Sequence, residues 1–315
     1  MTICHANIKP LWLPQHKKHL DKYFLQWFIG FSEGHGNFCY NHISLSYHDS
    51  FVFNNLHSRP FFIISHPDPQ LLFYIRSNLG FGFVKKYNYR DTIFYRFFVS
   101  DFDGLFRLIH IFHGNFILNS SHCRFQSWFI LFISYYKSFE HFSLLQHTFT
   151  STSFTHNFSL YPPNLSYLSL DTPWLSGFID SCGSFSIKQS LYNPSILLRF
   201  ILSIPHTSAD YLFFQQLQFL FKTSSSDIFS DSFSLSHLSK DLSSPSPSLS
   251  FTSFPPLHSQ PFLSLFDYLR KFPLKSKKNI HFVKFKKLCI RLHDTLPRST
   301  LSKSFQRYQR LKNSF

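Results

Sequence analysis

The chain has 315 residues, 43% of them hydrophobic, which is enough material for one large domain or two smaller ones with a real core. Its formal net charge is +15 and its isoelectric point is about 9.6, an excess of cations that calls for an anionic partner, most often nucleic acid. No apolar run approaches the roughly 18–20 uncharged residues that span a bilayer, which excludes a transmembrane protein.

In chain order, residues 1–21 form an N-terminal extension without the apolar segment of a secretory signal. Trp27–Phe38 then reads WFIGFSEGHGNF, a helical apolar run whose second glycine, Gly36, suits a C-terminal cap of positive φ. A strand follows, with Asn37, Cys39 and Asn41 alternating against Phe38, Tyr40 and His42. Phe61–Ser65 reads as a strand and Asp68–Asn78 as a helix. Gly80–Tyr87 and Thr92–Ser100 read as a hairpin around Asn88–Asp91, and Asp103–Phe112 and Arg124–Tyr136 as helices. Residues 138–169 are a Ser/Thr/Phe/His linker containing Pro162 and Pro163.

Trp174–Phe185, WLSGFIDSCGSF, restates the first motif: Trp, first Gly, the Phe after it, an acid, second Gly and final Phe all agree. This internal similarity indicates a duplicated domain. Gly183 takes the place of Gly36, and Ser184, Ser186, Lys188 and Ser190 alternate with Phe185, Ile187, Gln189 and Leu191 in the next strand. Leu197–Ser203 is a strand and Ala209–Phe221 a helix. Residues 223–259 are rich in Ser and Pro, a composition that buries too little apolar area to offset its ordering entropy. They read as a degraded hairpin or an insertion without order. Helical patterns resume at Phe262–Phe272 and Ile280–His293, and residues 300–315 form a basic helical tail.

Phe is unusually common at 44 residues and Gly scarce at 9. Phe, Ser, Leu, His and Pro share pyrimidine-rich codons, so part of this bias reads as nucleotide skew and not as selection on structure. The five cysteines are scattered and form no CxxC pair, which argues against a disulfide framework.

The two motifs, with FIISHPDPQLLFYIRSNLGFGFV, YRFFVSD and LIHIFHGNFILN in the first half and LRFILSI and YLRKFPLKSKKNIHFVKFKKL in the second, resemble the two-motif LAGLIDADG homing endonucleases and intron maturases. The resemblance runs from about Lys22 to the C-terminus, interrupted at the linker and at the Ser-rich segment. It implies an α+β fold of two pseudo-symmetric αββαββα repeats, residues 22–137 and 170–299, whose saddle-shaped antiparallel sheets lie over a duplex. Small residues, Gly30, Gly177 and Ser176, are implied where the motif helices approach each other, with Ile29 bulkier than the pattern.

In that family one acid from each motif, immediately before the second glycine, binds the divalent cations that activate water. Here those positions hold His35 and Cys182, and imidazole and thiolate are poor ligands for Mg²⁺. Glu33 and Asp180 remain two residues earlier. The resemblance gives them a turn-supporting role, and they are the acids that would have to take over metal binding if cutting survived. His35 and Cys182 together supply too few ligands for a closed zinc site, so no metal site is expected. His66 and Ile204 match the polar position at the end of each second strand. Lys277 matches the basic residue near the scissile phosphate, with Ser121 as its first-repeat counterpart.

Binding residues survive better than catalytic ones. Lys85, Lys86, Tyr87, Tyr89, Arg90, Tyr95 and Arg96 give the hairpin cations for phosphates and aromatic faces for bases. Lys188, Lys275 and Lys278 join them, with Lys284, Lys286 and Lys287, and with Arg307, Arg310 and Lys312 in the tail. The reading is of a monomeric nucleic-acid-binding protein derived from a homing endonuclease, without cleavage activity. It favours structured RNA in an organelle, mitochondrial before chloroplast, as a maturase-like or ribosomal-RNA-associated protein within a ribonucleoprotein. No cofactor is expected, and Mg²⁺ only if nuclease activity survives. The alternatives are an active endonuclease and a decaying reading frame.

Overall fold

The structure, a computed structural model, describes residues 20–40, 59–89, 92–136, 163–189, 196–203, 210–221, 248–253 and 260–293. The chain forms two compact units, Met1–Tyr167 and Leu168–Phe315.

The first unit opens with α1 (Lys22–His35), started by Asp21, whose carboxylate accepts from the Tyr23 and Phe24 amides at 3.1 and 3.2 Å. There follow β1 (Gly36–Tyr40), β2 (Pro60–His66), α2 (Pro69–Leu79), β3 (Phe83–Tyr89), β4 (Thr92–Val99), α3 (Phe102–Phe112) and α4 (Asn119–Tyr136). Asp68 and Asp101 cap α2 and α3 in the same way as Asp21, accepting from the Gln70 and Gly104 amides at 3.1 and 2.8 Å. Pro69 fills the first helical position of α2 and Gly80 closes it at φ 78°. The strands form an antiparallel sheet in the order β1-β2-β4-β3.

The second unit repeats this order with α5 (Trp174–Cys182), β5 (Gly183–Gln189), β6 (Ile196–Ser203), α6 (Tyr211–Phe221), β7 (Ser248–Ser253), α7 (Gln260–Lys271) and α8 (Lys278–His293). Its described strands run β5-β6-β7, so β7 takes the place of β4 beside the second strand of its repeat. β7 lies inside the Ser/Pro-rich segment: residues 248–253 pair with β6, Ser250 opposite Ile201, which fits the degraded-hairpin alternative at these residues. Ladder hydrogen bonds are sequence-independent, so a Ser-rich strand can complete a sheet whose neighbour supplies the apolar side chains. The rest of that segment, most of the linker, the N-terminal extension up to residue 19 and the C-terminal tail lie outside the described residues. Two helices close each repeat, both legible as helical patterns in the sequence, where the αββαββα formula counts one.

The aromatic excess builds the cores. In the first unit Trp27 and Phe31 stack at 5.1 Å along α1, and Phe38 of β1 meets Phe62, Phe125 and Trp128 at 5.2–5.4 Å. The second unit repeats the pattern: Trp174 and Phe178 stack at 5.1 Å, and Phe185 meets Phe200, Phe282 and Phe285 at 5.1–5.4 Å. These large rings are mostly buried, so these aromatic residues are structural whatever their genomic origin.

The second motif glycines are required for a different reason from the one expected. Gly36 and Gly183 have φ of −74° and −79°, extended backbone that any residue adopts. A Cβ on Gly36 would fall 2.6 Å from the Ser32 carbonyl and 3.0 Å from the Phe62 ring. On Gly183 it would fall 2.7 Å from the Ile179 carbonyl. The helix passes into the strand with no intervening loop, and the turn has room only for hydrogen.

Candidate functional site

The two motif acids do the same thing in the two units. Glu33 is buried at the end of α1, and its carboxylate oxygens accept from the Ile117 and Leu118 amides at 3.0 and 2.7 Å. Asp180 is fully buried near the end of α5. It accepts from the Lys275 and Ser276 amides at 2.7 and 3.2 Å and from the Ser276 hydroxyl. In each unit the acid binds consecutive backbone N–H groups just before the closing helix, α4 or α8. Such bonds satisfy the oxygens of a carboxylate that burial takes out of water.

Each helix end also meets a cation from its closing helix. Arg124 donates to the Glu33 carbonyl at 3.1 Å and the Gly36 carbonyl at 3.5 Å. Lys278 donates to the Ser181 carbonyl at 2.7 Å and the Ile179 carbonyl at 3.4 Å. The C-terminal end of a helix carries partial negative charge on its carbonyls, so cations belong there, although the Ile179 carbonyl also accepts from the Gly183 amide. Burial lowers the Lys278 pKa, and the charges of Asp180 and Cys182 oppose that lowering.

Lys278 is therefore not the surface phosphate contact expected of it: it is half-buried on α5. Lys277 and Lys275 beside it are exposed. The carboxylate bonds also move the counterpart of Lys277. Leu118 matches Ser276, so Lys277 matches Asn119 and not Ser121, whose hydroxyl instead donates to the Glu33 carbonyl at 3.1 Å. Ser176, expected at a helix–helix approach, is hydrogen-bonded within its own unit: its amide donates to the Tyr268 hydroxyl at 2.7 Å. Arg124 was missed by sequence reasoning, because nothing local ties it to a helix end some ninety positions earlier.

The positions of the lost acids do not fit a hard divalent cation. His35 stacks on Phe31 at 5.5 Å and lies 6.0 Å from the His66 ring, and the Ser181 hydroxyl donates to the Cys182 sulfur at 3.3 Å. Neither offers the oxygen ligands that Mg²⁺ takes, and a lysine already occupies the neighbouring carbonyls. Among the described residues no group of three or more His, Cys, Asp or Glu side chains could hold a metal ion. His66 is buried, and its Nδ1 accepts from the Asp68 amide at 3.0 Å, so this ring atom serves the turn into α2.

The hairpin residues divide between two faces. Lys85 pairs with Arg96, Tyr87 with Phe94 and Tyr89 with Thr92, and these side chains share the face turned from the helices. Lys86 and Tyr95 pair on the opposite face, which further along β4 carries buried Phe97 and Val99, though Lys86 itself is exposed near the hairpin end. On the open face the Arg96 guanidinium lies over Tyr87 at 4.7 Å and Phe94 at 5.1 Å. Lys85 Nζ lies 5.5 Å over Tyr87, and the Tyr87 and Phe94 rings stack at 5.6 Å. Cations held on rings in this way are pre-positioned for phosphate or base. In the second unit Lys188 lies on β5 opposite Leu197, and Lys286 lies 5.6 Å over the Phe266 ring. Arg90, Ile204, Arg307, Arg310 and Lys312 lie outside the described residues. No helix among the described residues is long and apolar enough to cross a membrane.

Comparison with known proteins agrees with this geometry. No family model matches the chain. The probable intron-encoded endonuclease 4 of Neurospora crassa is 35% identical over 188 residues, which is 58% of this chain and 28% of that protein. The chain thus spans well under a third of the length of this curated relative. Three solved structures share its fold. The LAGLIDADG meganuclease I-CpaMI bound to uncleaved DNA is 19% identical with a TM-score of 0.60, over 92% of this chain and 98% of that one. The LAGLIDADG homing endonuclease I-LtrWI bound to target DNA is 18% identical with a TM-score of 0.62, over 90% and 96%. I-SmaMI bound to cleaved DNA is 15% identical with a TM-score of 0.59, over 94% and 98%.

Proposed function

We propose that this chain, which has the LAGLIDADG homing-endonuclease fold, binds nucleic acid without cleaving it, and that its partner is structured RNA of an organelle, the mitochondrion before the chloroplast. One observation carries the loss of cutting. Both positions that would ligate divalent cations are non-acidic, His35 and Cys182, while the acids nearest them, Glu33 and Asp180, are bound by backbone amides. A two-metal displacement has no carboxylates left to run on. The cationic, aromatic open face of β3 and β4 supports retained binding, and stacking on Tyr87 and Tyr89 suits unpaired bases better than a closed duplex. The role is maturase-like or ribosomal-RNA-associated, as a monomer within a ribonucleoprotein.

A second reading, an active site-specific DNA endonuclease, is favoured by the intron-encoded endonuclease relative and by the DNA held in the similar structures. Crosslinking the protein to nucleic acid in its own cell, followed by sequencing, separates the two. Enrichment of one intron or ribosomal RNA segment supports RNA binding. Enrichment of one duplex DNA site, with cleavage of that site in Mg²⁺, overturns it in favour of the nuclease. No enrichment of either leaves a decaying reading frame.

A further inference from the structure

We infer that the motif helices carry resident cations, Lys278 on α5 and Arg124 on α1, in the electrostatic place where the family pattern puts divalent ions, so that restoring an acid does not by itself restore a metal site.

The two cations sit on backbone carbonyls beside the lost acids. Lys278 reaches the carbonyls of Ile179 and Ser181, the latter immediately before Cys182, and Arg124 reaches those of Glu33 and Gly36, on either side of His35. Both come from the closing helix of their own unit, but from different places on it: Lys278 is the first residue of α8 and Arg124 the sixth of α4. Different residues doing one job indicates a demand of the site and not merely inherited sequence. The demand is physical. The carbonyl-rich C-terminal end of a helix, with a buried carboxylate two residues from the lost acid, favours a positive charge nearby. A divalent ion would supply it if an acid bound that ion, and where the acid is absent a side-chain cation supplies it from within the fold. Lys278 then repels any incoming cation and pairs with any acid introduced at residue 182. The inference concerns the protein alone and stands whether the partner is RNA or DNA.

The test uses the full chain in four forms: unsubstituted, Cys182→Asp, Lys278→Gln, and both together. Glutamine keeps a donor for the Ser181 carbonyl and removes the charge. Mn²⁺ is titrated without nucleic acid, and bound ion is read from loss of the free-ion electron paramagnetic resonance signal. Cys182→Asp alone is expected to match the unsubstituted chain, while the double variant binds Mn²⁺ at least tenfold more tightly than either single variant. Equal binding by Cys182→Asp alone overturns the inference, because the lysine is then no obstacle. Failure of the folded double variant to gain binding overturns it as well, because something other than the ammonium excludes the ion. If Lys278→Gln does not fold, Cys182→Asp still decides. Pairing with Lys278 depresses the pKa of the new carboxylate in a ¹³C NMR titration, and an ordinary aspartate titration overturns the inference.

Discussion

Glu33 and Asp180 sit two residues from the positions that chemistry would require, and what they hold is backbone. Glu33→Gln and Asp180→Asn keep the shape but replace an acceptor oxygen with an NH₂ group, leaving one buried amide facing a donor. Each is expected to cost about 1–3 kcal/mol, read as a fall of several degrees in melting temperature by circular dichroism. The fall should be the same in Mg²⁺ and in EDTA, since a metal ligand would instead show its loss only in the presence of the ion. His110 makes a separate prediction. Burial, and then the neighbouring charge of His113, lower its pKa from 6.5 to about 4. A base with a depressed folded pKa binds fewer protons folded than unfolded between those values, so stability falls as pH drops from 6.5 towards 4 and then levels off. His113 shifts in the same direction through its own burial and the charge of His122. The loss is on the order of 2 kcal/mol, and chemical denaturation at pH 7 and at pH 4.5 measures it. His110→Phe should flatten that dependence.

The elements were largely legible because their signals are local. The helix pattern from Asp68 marks α2, and alternation marks most strands within a residue or two of where they lie, while β3 begins at Phe83, three residues after the expected Gly80, and α4 at Asn119, five residues before the expected Arg124. What sequence could not supply was the partner across space. The glycines of the motif looked like positive-φ caps, since that is the commonest reason for glycine at a helix end. The true reason is steric crowding where helix turns into strand: the carbonyl four residues earlier, Ser32 or Ile179, lies within 2.7 Å of a would-be Cβ, and for Gly36 the Phe62 ring, 3.0 Å away, joins it once β1 has paired with β2. Lys277 and Lys278 are likewise indistinguishable in a run of lysines, and only the position of α8 against α5 decides that one is exposed and the other seated on carbonyls. The close contacts give a prediction for the element. Gly183→Ala drives its Cβ into the Ile179 carbonyl and side chain, so the junction must open at a cost of about 1–3 kcal/mol. Ala is otherwise well tolerated at extended φ. Equilibrium unfolding of Gly183→Ala beside an exposed control such as Ser127→Ala checks it, and an effect no larger than the control's would mean that the junction yields freely.

At the scale of the whole molecule the formal charge of +15 favours an anionic partner but does not say where binding happens. The described structure is uneven in this respect. The first unit presents Lys85 and Arg96 on the open face of its sheet, braced on Tyr87 and Phe94. The corresponding strand of the second unit, β7, has the sequence SLSFTS and carries no charge, and the exposed cations described in that unit, among them Lys275, Lys277 and Lys287, lie beyond the sheet on or before its closing helices. Phosphate contacts release counterions, each contributing about 0.9 to the slope of log affinity against log salt on duplex DNA and about 0.7 on single strands. Replacing both Lys85 and Arg96 with Ala should therefore reduce that slope by roughly 1.4–1.8. Lys86→Ala, on the opposite face of the same strand, should leave it nearly unchanged. Tyr87→Ala should weaken binding with little change in slope, because stacking is not ionic, and it should do so more for single-stranded than for duplex ligand. EDTA should alter none of these affinities, since no step of binding is assigned to a metal. A slope that falls equally for Lys86 and Lys85 would mean that the open face is not the binding face. Affinity that disappears in EDTA would return the divalent cation, and with it the nuclease reading, to the centre of the molecule.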